Sequence, residues 1–350
     1  MDPESVDEVE RVPHGGSDDT ELIDFSANTN PVRPDGIADV YEGALADATR
    51  YADGFDDFRA AAADYVDCGF DAIGTCSAAD VVPTAGGLAA LRLAFGVSVA
   101  PGDRVLVPEP SFGEYARETR LQGGEPVGVA HDELLDRDPG DYAAAVVCTP
   151  NNPTGELADT SALRSFLDAC RESDTTLVVD EAFLDFTDAL SLAGAAGAIV
   201  ARSLTKMFGL PGIRAGFAVA TGRLGERLRT ARPTWGLSTP ATAVGTHCLR
   251  QAEFVERTRE RVASERTRMY EALSTRYDVA PSDAPFMLVD VGEEPVDSVV
   301  ERASRGGVAV RDARTFARLD SHVRVAVRRP RENDLLLDAL LDRCATTGSR

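Results

Sequence analysis

From about Asp80 the chain alternates short apolar runs with stretches whose apolar residues recur at helical spacing. Val81–Pro83 leads into Gly86-Gly87, after which Leu88, Leu91 and Phe95 share one helical face. Arg104–Pro108 (RVLVP) lies between Pro101-Gly102 and Pro110 and reads as a buried strand. Tyr142–Cys148, Thr176–Asp180, Ala198–Ser203 and Ala215–Ala220 repeat that form, with a helical stretch at Ser161–Cys170. Strands alternating with helices predict an α/β fold with a mostly parallel sheet covered by helices on both faces. Beyond Pro240 the pattern changes. Ala241 to about Leu273 predicts one long charged helix, followed by shorter elements, the strand-like His322–Val327 and a helix over Glu332–Leu341. These predict a smaller α+β domain over 239–350 and a large domain over 41–238. Residues 1–40 carry the turn formers His14-Gly15-Gly16, Asn28, Asn30-Pro31 and Pro34, and predict an arm.

Composition narrows the function classes. The chain of 350 residues has 58 Asp+Glu against 36 Lys+Arg, a net charge of -22. A surface for nucleic acid or anionic lipid would need a basic patch, so neither partner is expected. Such acidity suits a salt-rich cytoplasm, where charge is strongly screened. Met1–Val12 has no apolar core of a signal peptide, and no apolar run reaches membrane-spanning length, which together predict a cytoplasmic protein. The six cysteines (Cys68, Cys76, Cys148, Cys170, Cys248, Cys344) form no CxxC pair and are expected to be reduced and mostly buried, and no metal is expected.

Only one of the 36 cations is a lysine, Lys206. A covalent imine requires a primary amine that can lose its proton, which arginine cannot supply. Around it stands SLTKMFGLPGIRAGF, with Ser203 three residues before and Arg214 eight after. A hydroxyl and a guanidinium together suit a dianionic phosphate. Gly86-Gly87-Leu88 precedes a helix, so its backbone N–H groups can also receive a phosphate. The GxGxxG fingerprint is missing, which argues against a nicotinamide enzyme. Asp180 ends an apolar strand, where a carboxylate alone would be read as a helix cap, and Asn151-Asn152 stands in a turn-forming NNPTG. All these motifs fall at predicted strand carboxyl ends, where parallel α/β sheets place their ligands.

The spacing S-x-x-K followed by G-x-R, with VVDEAF and NNPTG, resembles the fold-type I, aspartate-aminotransferase-like enzymes of pyridoxal 5'-phosphate (PLP). The resemblance covers nearly the whole chain and implies the three-layer fold of that family. By it, Lys206 forms the Schiff base with the cofactor, and Ser203, Arg214, Gly87 and Leu88 hold its phosphate. Asp180 then pairs with the pyridine nitrogen, Asn152 with the phenolic oxygen, and Phe112 stacks on the ring. Leu88, Ala89 and Ala90 depart from the polar side chains that relatives carry after the glycines. Tyr51 matches a tyrosine that reaches the phosphate of the neighbouring subunit, which implies a homodimer. Two relatives compete for the reaction. HGG (His14–Gly16), DFSANTNP (Asp24–Pro31), Phe183 and VRVAVRRPREND (Val323–Asp334) resemble L-threonine-O-3-phosphate decarboxylase of cobalamin synthesis, and histidinol-phosphate aminotransferase is the alternative. The resemblance places Arg324 on the substrate carboxylate and offers His14 and Asn30 for a substrate phosphate, with Arg328 and Arg329 as further cations. A non-catalytic PLP-binding sensor would need an added DNA-binding module and a basic face, and this chain has neither.

Overall fold

The computed structural model describes residues 1–51, 54–67 and 75–342. In chain order its strands are β1 (Ile23–Asp24), β2 (Val81–Thr84), β3 (Arg104–Glu109), β4 (Glu125–Ala130), β5 (Ala144–Cys148), β6 (Thr176–Asp180) and β7 (Ala198–Ser203). They continue with β8 (Gly216–Val219), β9 (Asp278–Val279), β10 (Phe286–Asp290), β11 (Val308–Ala309), β12 (Arg311–Asp312) and β13 (His322–Ala326). Seven strands form one sheet in the order β2-β8-β7-β6-β5-β3-β4. From β4 to β7 every neighbouring pair is parallel, whereas β8 runs antiparallel to both β7 and β2. The sheet is mixed and mostly parallel, as the alternating pattern predicts.

The near-continuous apolar runs follow from burial on both faces. Successive side chains of a strand point to opposite sides. Val178, Ile199 and Ala201 accordingly join the core under the helix Gly87–Ser98. Leu177, Val179 and Val200 join the opposite core with Phe58, Phe166 and Val262 from other helices. A side chain with no alternative to burial must be apolar or paired, which is why polar groups appear only where these strands end.

A second sheet, antiparallel, has the order β12-β13-β10-β9, and β1 pairs in parallel with β11. That pairing fastens the arm to the C-terminal part of the chain. The long helix expected from Ala241 to Leu273 is two helices, Thr239–Leu249 and Ala252–Leu273. The break coincides with a change in composition: the first piece holds no Asp, Glu, Lys or Arg, whereas the second is densely charged. Among the described residues no helix is long and apolar enough to cross a membrane. Cys148, Cys170 and Cys248 are buried free thiols and Cys76 is partly exposed, while Cys68 and Cys344 lie outside the described residues.

Candidate active site

Strand register assembles the site. In the β5–β6–β7 ladder Cys148 lies opposite Asp180, and Asp180 opposite Ala201. The chain leaving β7 continues as Ser203 and the short helix Leu204–Met207, so Lys206 rises beside the end of β6. A cavity of about 270 Å³ opens there, floored by Asp180, Asn152 and Lys206 and walled by Phe112, Leu88 and Phe183. The arm closes it with Val12–Gly15 and Ser26–Asn28, and the C-terminal sheet contributes Arg324.

The charges in this cavity perturb one another. Asp180 is 6 % exposed, and burial raises its carboxyl above the usual range. The Tyr115 hydroxyl, donating to Oδ2 at 2.7 Å, and the Ala182 N–H, donating to Oδ1 at 3.0 Å, oppose that rise. Lys206 is pulled from 10.5 down to about 8, first by burial, then by the Arg324 charge, against the attraction of Asp180. Its Nζ lies 5.6 Å from the Phe183 ring centre. Arg324 is itself brought down to about 9, by burial and then by Arg311. It donates through Nη1 to Asn152 Oδ1 and through Nη2 to Ser26 O at 2.8 Å, which leaves Nε without a protein partner.

Beside the cavity the predicted phosphate clamp converges. A Cβ on Gly86 would sit 2.5 Å from Arg214 Nη2, and one on Gly87 2.9 Å from Ser203 Cβ. Gly86 has φ +93°, a left-handed value that favours glycine, and the helix Gly87–Ser98 begins with no side-chain cap. Its first N–H groups are therefore donors without intrahelical partners. Arg214 also sits in the left-handed region, at φ 59°, tied to Pro211 O and Ala85 O at 3.1 Å each. Ser203 Oγ lies 2.8 Å from Thr205 Oγ1. These donors fit a dianionic phosphate, Asp180 fits a protonated ring nitrogen, and Lys206 fits an aldehyde partner. The set matches the requirements of PLP.

Other expected residues fall in different places. Phe112 lines the cavity, with its ring centre 5.6 Å from His14 and in T-shaped contact with Tyr115 at 5.6 Å. His14 lines it too, with Nε2 3.0 Å from Glu114 Oε1. Asn30 does not fit a substrate role. Its Nδ2 donates to Met207 O at 2.7 Å and its Oδ1 accepts from Arg261 Nη2 at 2.7 Å, so the fold consumes it. Arg328 and Arg329 likewise hold the arm, donating to Asp24 O and Pro31 O. Tyr51 is outside this chain's cavity, 82 % exposed and stacked on Trp235 at 4.4 Å.

Three features escape motif reading. Tyr115 is one, although its spacing of three residues after Phe112 is a same-face signal at a helix start. A second is Arg311, which lines the cavity and holds the arm through Pro13 O and His14 O at 2.8 and 2.6 Å. The third lies behind the site. Arg202, at 5 % exposure, donates to Glu181 Oε2 at 2.8 Å and to Asp185 Oδ1, locking the ends of β6 and β7 together. An arginine directly after the apolar AIVA is its only sequence signal.

The model of the aminotransferase class I and II family matches residues 20–340. Histidinol-phosphate aminotransferase 1 of Archaeoglobus fulgidus is 32 % identical over 257 residues, 71 % of this chain and 79 % of that one. A protein of Caldanaerobacter subterraneus provisionally named a threonine-phosphate decarboxylase is 33 % identical over 256 residues, 67 % of this chain and 69 % of that one. Among solved structures, histidinol-phosphate aminotransferase of Sinorhizobium meliloti, in complex with pyridoxal-5'-phosphate, superposes with a TM-score of 0.81. It is 22 % identical and the match covers 92 % of this chain and 90 % of that one, a likeness of fold.

Proposed function

The chain belongs to the aminotransferase class I and II family, and from that premise we propose that it is a PLP enzyme acting on small amines that carry anionic groups. One observation carries the reading: an amine lowered to about 8 stands beside a buried carboxylate at adjoining strand ends. When bound, PLP draws electrons from the substrate α-carbon. The chain supplies the rest. Asp180 would keep a proton on the ring nitrogen, and Tyr115 holds that carboxylate in place. Asn152, itself anchored by Arg324, would hold the cofactor's phenolic oxygen. Lys206 can lose its proton near neutral pH and is placed to move one at the α-carbon. Gly87, Leu88, Ser203 and Arg214 would hold the phosphate, and Phe112 would lie against the ring. The exposed Tyr51–Trp235 stack supports a homodimer in which Tyr51 serves the partner's site.

Two reactions suit this machinery. The Archaeoglobus relative supports transamination of histidinol phosphate, and the Caldanaerobacter relative supports decarboxylation of L-threonine-O-3-phosphate. Arg324 and Arg311 together accommodate a doubly anionic molecule. In decarboxylation that is threonine phosphate itself, and in transamination it is a dicarboxylic acceptor such as 2-oxoglutarate. The relatives tip the balance toward transamination, whereas HGG and DFSANTNP favour decarboxylation. Incubating holoenzyme with each amine decides between them. Carbon dioxide release from L-threonine-O-3-phosphate, giving 1-amino-2-propanol phosphate, establishes the lyase. Turnover of histidinol phosphate that depends on 2-oxoglutarate, without such release, establishes the aminotransferase. A purified protein that takes up no PLP, read as no visible absorbance bleached by borohydride, overturns both.

A further inference from the structure

Two arginines of the cavity face each other across a β ladder. Arg311 of β12 is the register partner of Arg324 of β13, and both line the cavity. Like charges directly opposite in an antiparallel pair destabilise it. The repulsion is felt here, because the Arg311 charge is the cause next to burial that brings Arg324 down to about 9. Carboxylates do not relieve it. Arg311 donates to Pro13 O, His14 O and Thr315 Oγ1, and Arg324 to Asn152 Oδ1 and Ser26 O, all uncharged oxygens. One aromatic ring serves both cations. Phe316 lines the cavity just past the short turn Ala313–Thr315, and the Cζ atoms of Arg311 and Arg324 each lie over its ring, 5.7 Å from the centre. Both distances are within the reach at which the negative face of a ring attracts a guanidinium. Phe286 gives Arg324 a second ring at 5.2 Å, so among the described residues Phe316 is the only ring the two share.

We propose that Phe316 is a positioning residue that holds Arg311 and Arg324 side by side as one receptor for a molecule with two anionic groups. Without the ring, repulsion separates the two guanidinium groups. Arg324 is buried and keeps Phe286, Asn152 and Ser26, so it stays in place. Arg311 is less buried, and its remaining partners belong to the arm and to Thr315, so it is the one that turns away. A single anionic group then still binds at Arg324, whereas a second one loses its cation. The inference rests on the PLP reading above and adds a residue that selects substrates by their number of negative charges. Phe316 does so through the two arginines and touches no reacting atom.

The test compares wild-type holoenzyme with Phe316→Leu, which keeps apolar bulk without a π face, and Phe316→Tyr, which keeps the ring. Phe316 is half-buried, so both substitutions spare the core, and thermal midpoints check this. Calorimetric titration with succinate and with butyrate, acids of equal chain length bearing two carboxylates and one, gives the dissociation constants. Wild type should bind succinate more tightly. In Phe316→Leu the succinate constant should rise about tenfold, as for loss of a partly desolvated cation–π contact. Butyrate should change little, and Phe316→Tyr should keep the wild-type preference. A wild type without that preference, equal weakening of both acids by leucine, or loss of the preference in Phe316→Tyr overturns the proposal. So does a lowered midpoint in Phe316→Leu with the preference intact, which would make the ring a packing group only. The visible band bleached by borohydride, read on the same samples, judges the PLP reading separately: its absence overturns that reading, while the two acids still decide for or against Phe316.

Discussion

Lys206 should weaken the cofactor-free fold at neutral pH, and the effect has a definite pH signature. Burial first, and then the guanidinium charges of Arg324 and Arg214, bring its ammonium from 10.5 to about 8. At ~1.4 kcal/mol per pH unit, that gap amounts to a cost of up to about 3.5 kcal/mol for keeping the proton in the folded state. Below about pH 8 the folded and unfolded chains both carry the proton, and the full cost is present. Between about 8 and 10.5 the folded chain has released it while the unfolded chain still binds it. The unfolded state then binds more protons, so stability rises with pH through this window. Lys206→Met removes the charge at similar volume. Stripped of cofactor, this variant should exceed wild type by up to about 3.5 kcal/mol at pH 7, and the difference should fade toward zero by about pH 10.5. Urea unfolding at fixed ionic strength and equal protein concentration, repeated from pH 7 to 11, measures it. A difference that stays flat over that range, or favours wild type at pH 7, refutes the electrostatic account of the lysine.

Further substitutions probe the supporting residues. Tyr115→Phe removes the hydroxyl that holds Asp180 ionised, so its carboxyl should rise further and the dissociation constant of PLP should increase about tenfold, one charged hydrogen bond's worth; an unchanged constant in a cofactor titration would exclude this role. Arg202→Met leaves Glu181 and Asp185 buried without their counterion and should cost about 3–5 kcal/mol in urea unfolding, with much of the loss recovered by adding Glu181→Gln and Asp185→Asn. Gly86→Ala strains a φ of +93° and drives a methyl against Arg214, so affinity for PLP should fall while affinity for phosphate-free pyridoxal changes little; equal loss for both would place the damage outside the phosphate cradle.

Much of the fold was legible because strands buried on both faces have little chemical freedom. Ala144–Cys148 and Thr176–Asp180 lie wholly in the sheet interior apart from their ends, and the runs that announce them are nearly all alanine and valine. The same constraint makes the first polar residue after such a run informative, which is why Asp180 and Ser203 could be picked out. The long helix was misread because helical spacing continues across Arg250-Gln251, and only tertiary packing separates the two pieces. Arg202 and Arg311 were invisible for a different reason. In a chain with 36 cations, nearly all arginine, another arginine carries little information until its partners are known.

The arm shows where periodicity itself stops helping. In an extended segment, residues two apart point the same way, so Asn28 and Asn30 in SANTNP would share a fate, either both toward a ligand or both into the protein. They do not. The Thr29 N–H bonds back to Ala27 O at 2.9 Å, a three-residue turn that interrupts the alternation. Past that turn, Asn30 is drawn under the Lys206 helix, where Met207 O and Arg261 satisfy it, while Asn28 is left facing the cavity. The asparagine whose Pro neighbour made it the more recognisable of the two is therefore the structural one. Its partner two residues earlier is left with an amide oxygen that has no protein partner, and that difference follows from where hydrogen-bond partners lie in three dimensions, since the residue type is the same at both positions.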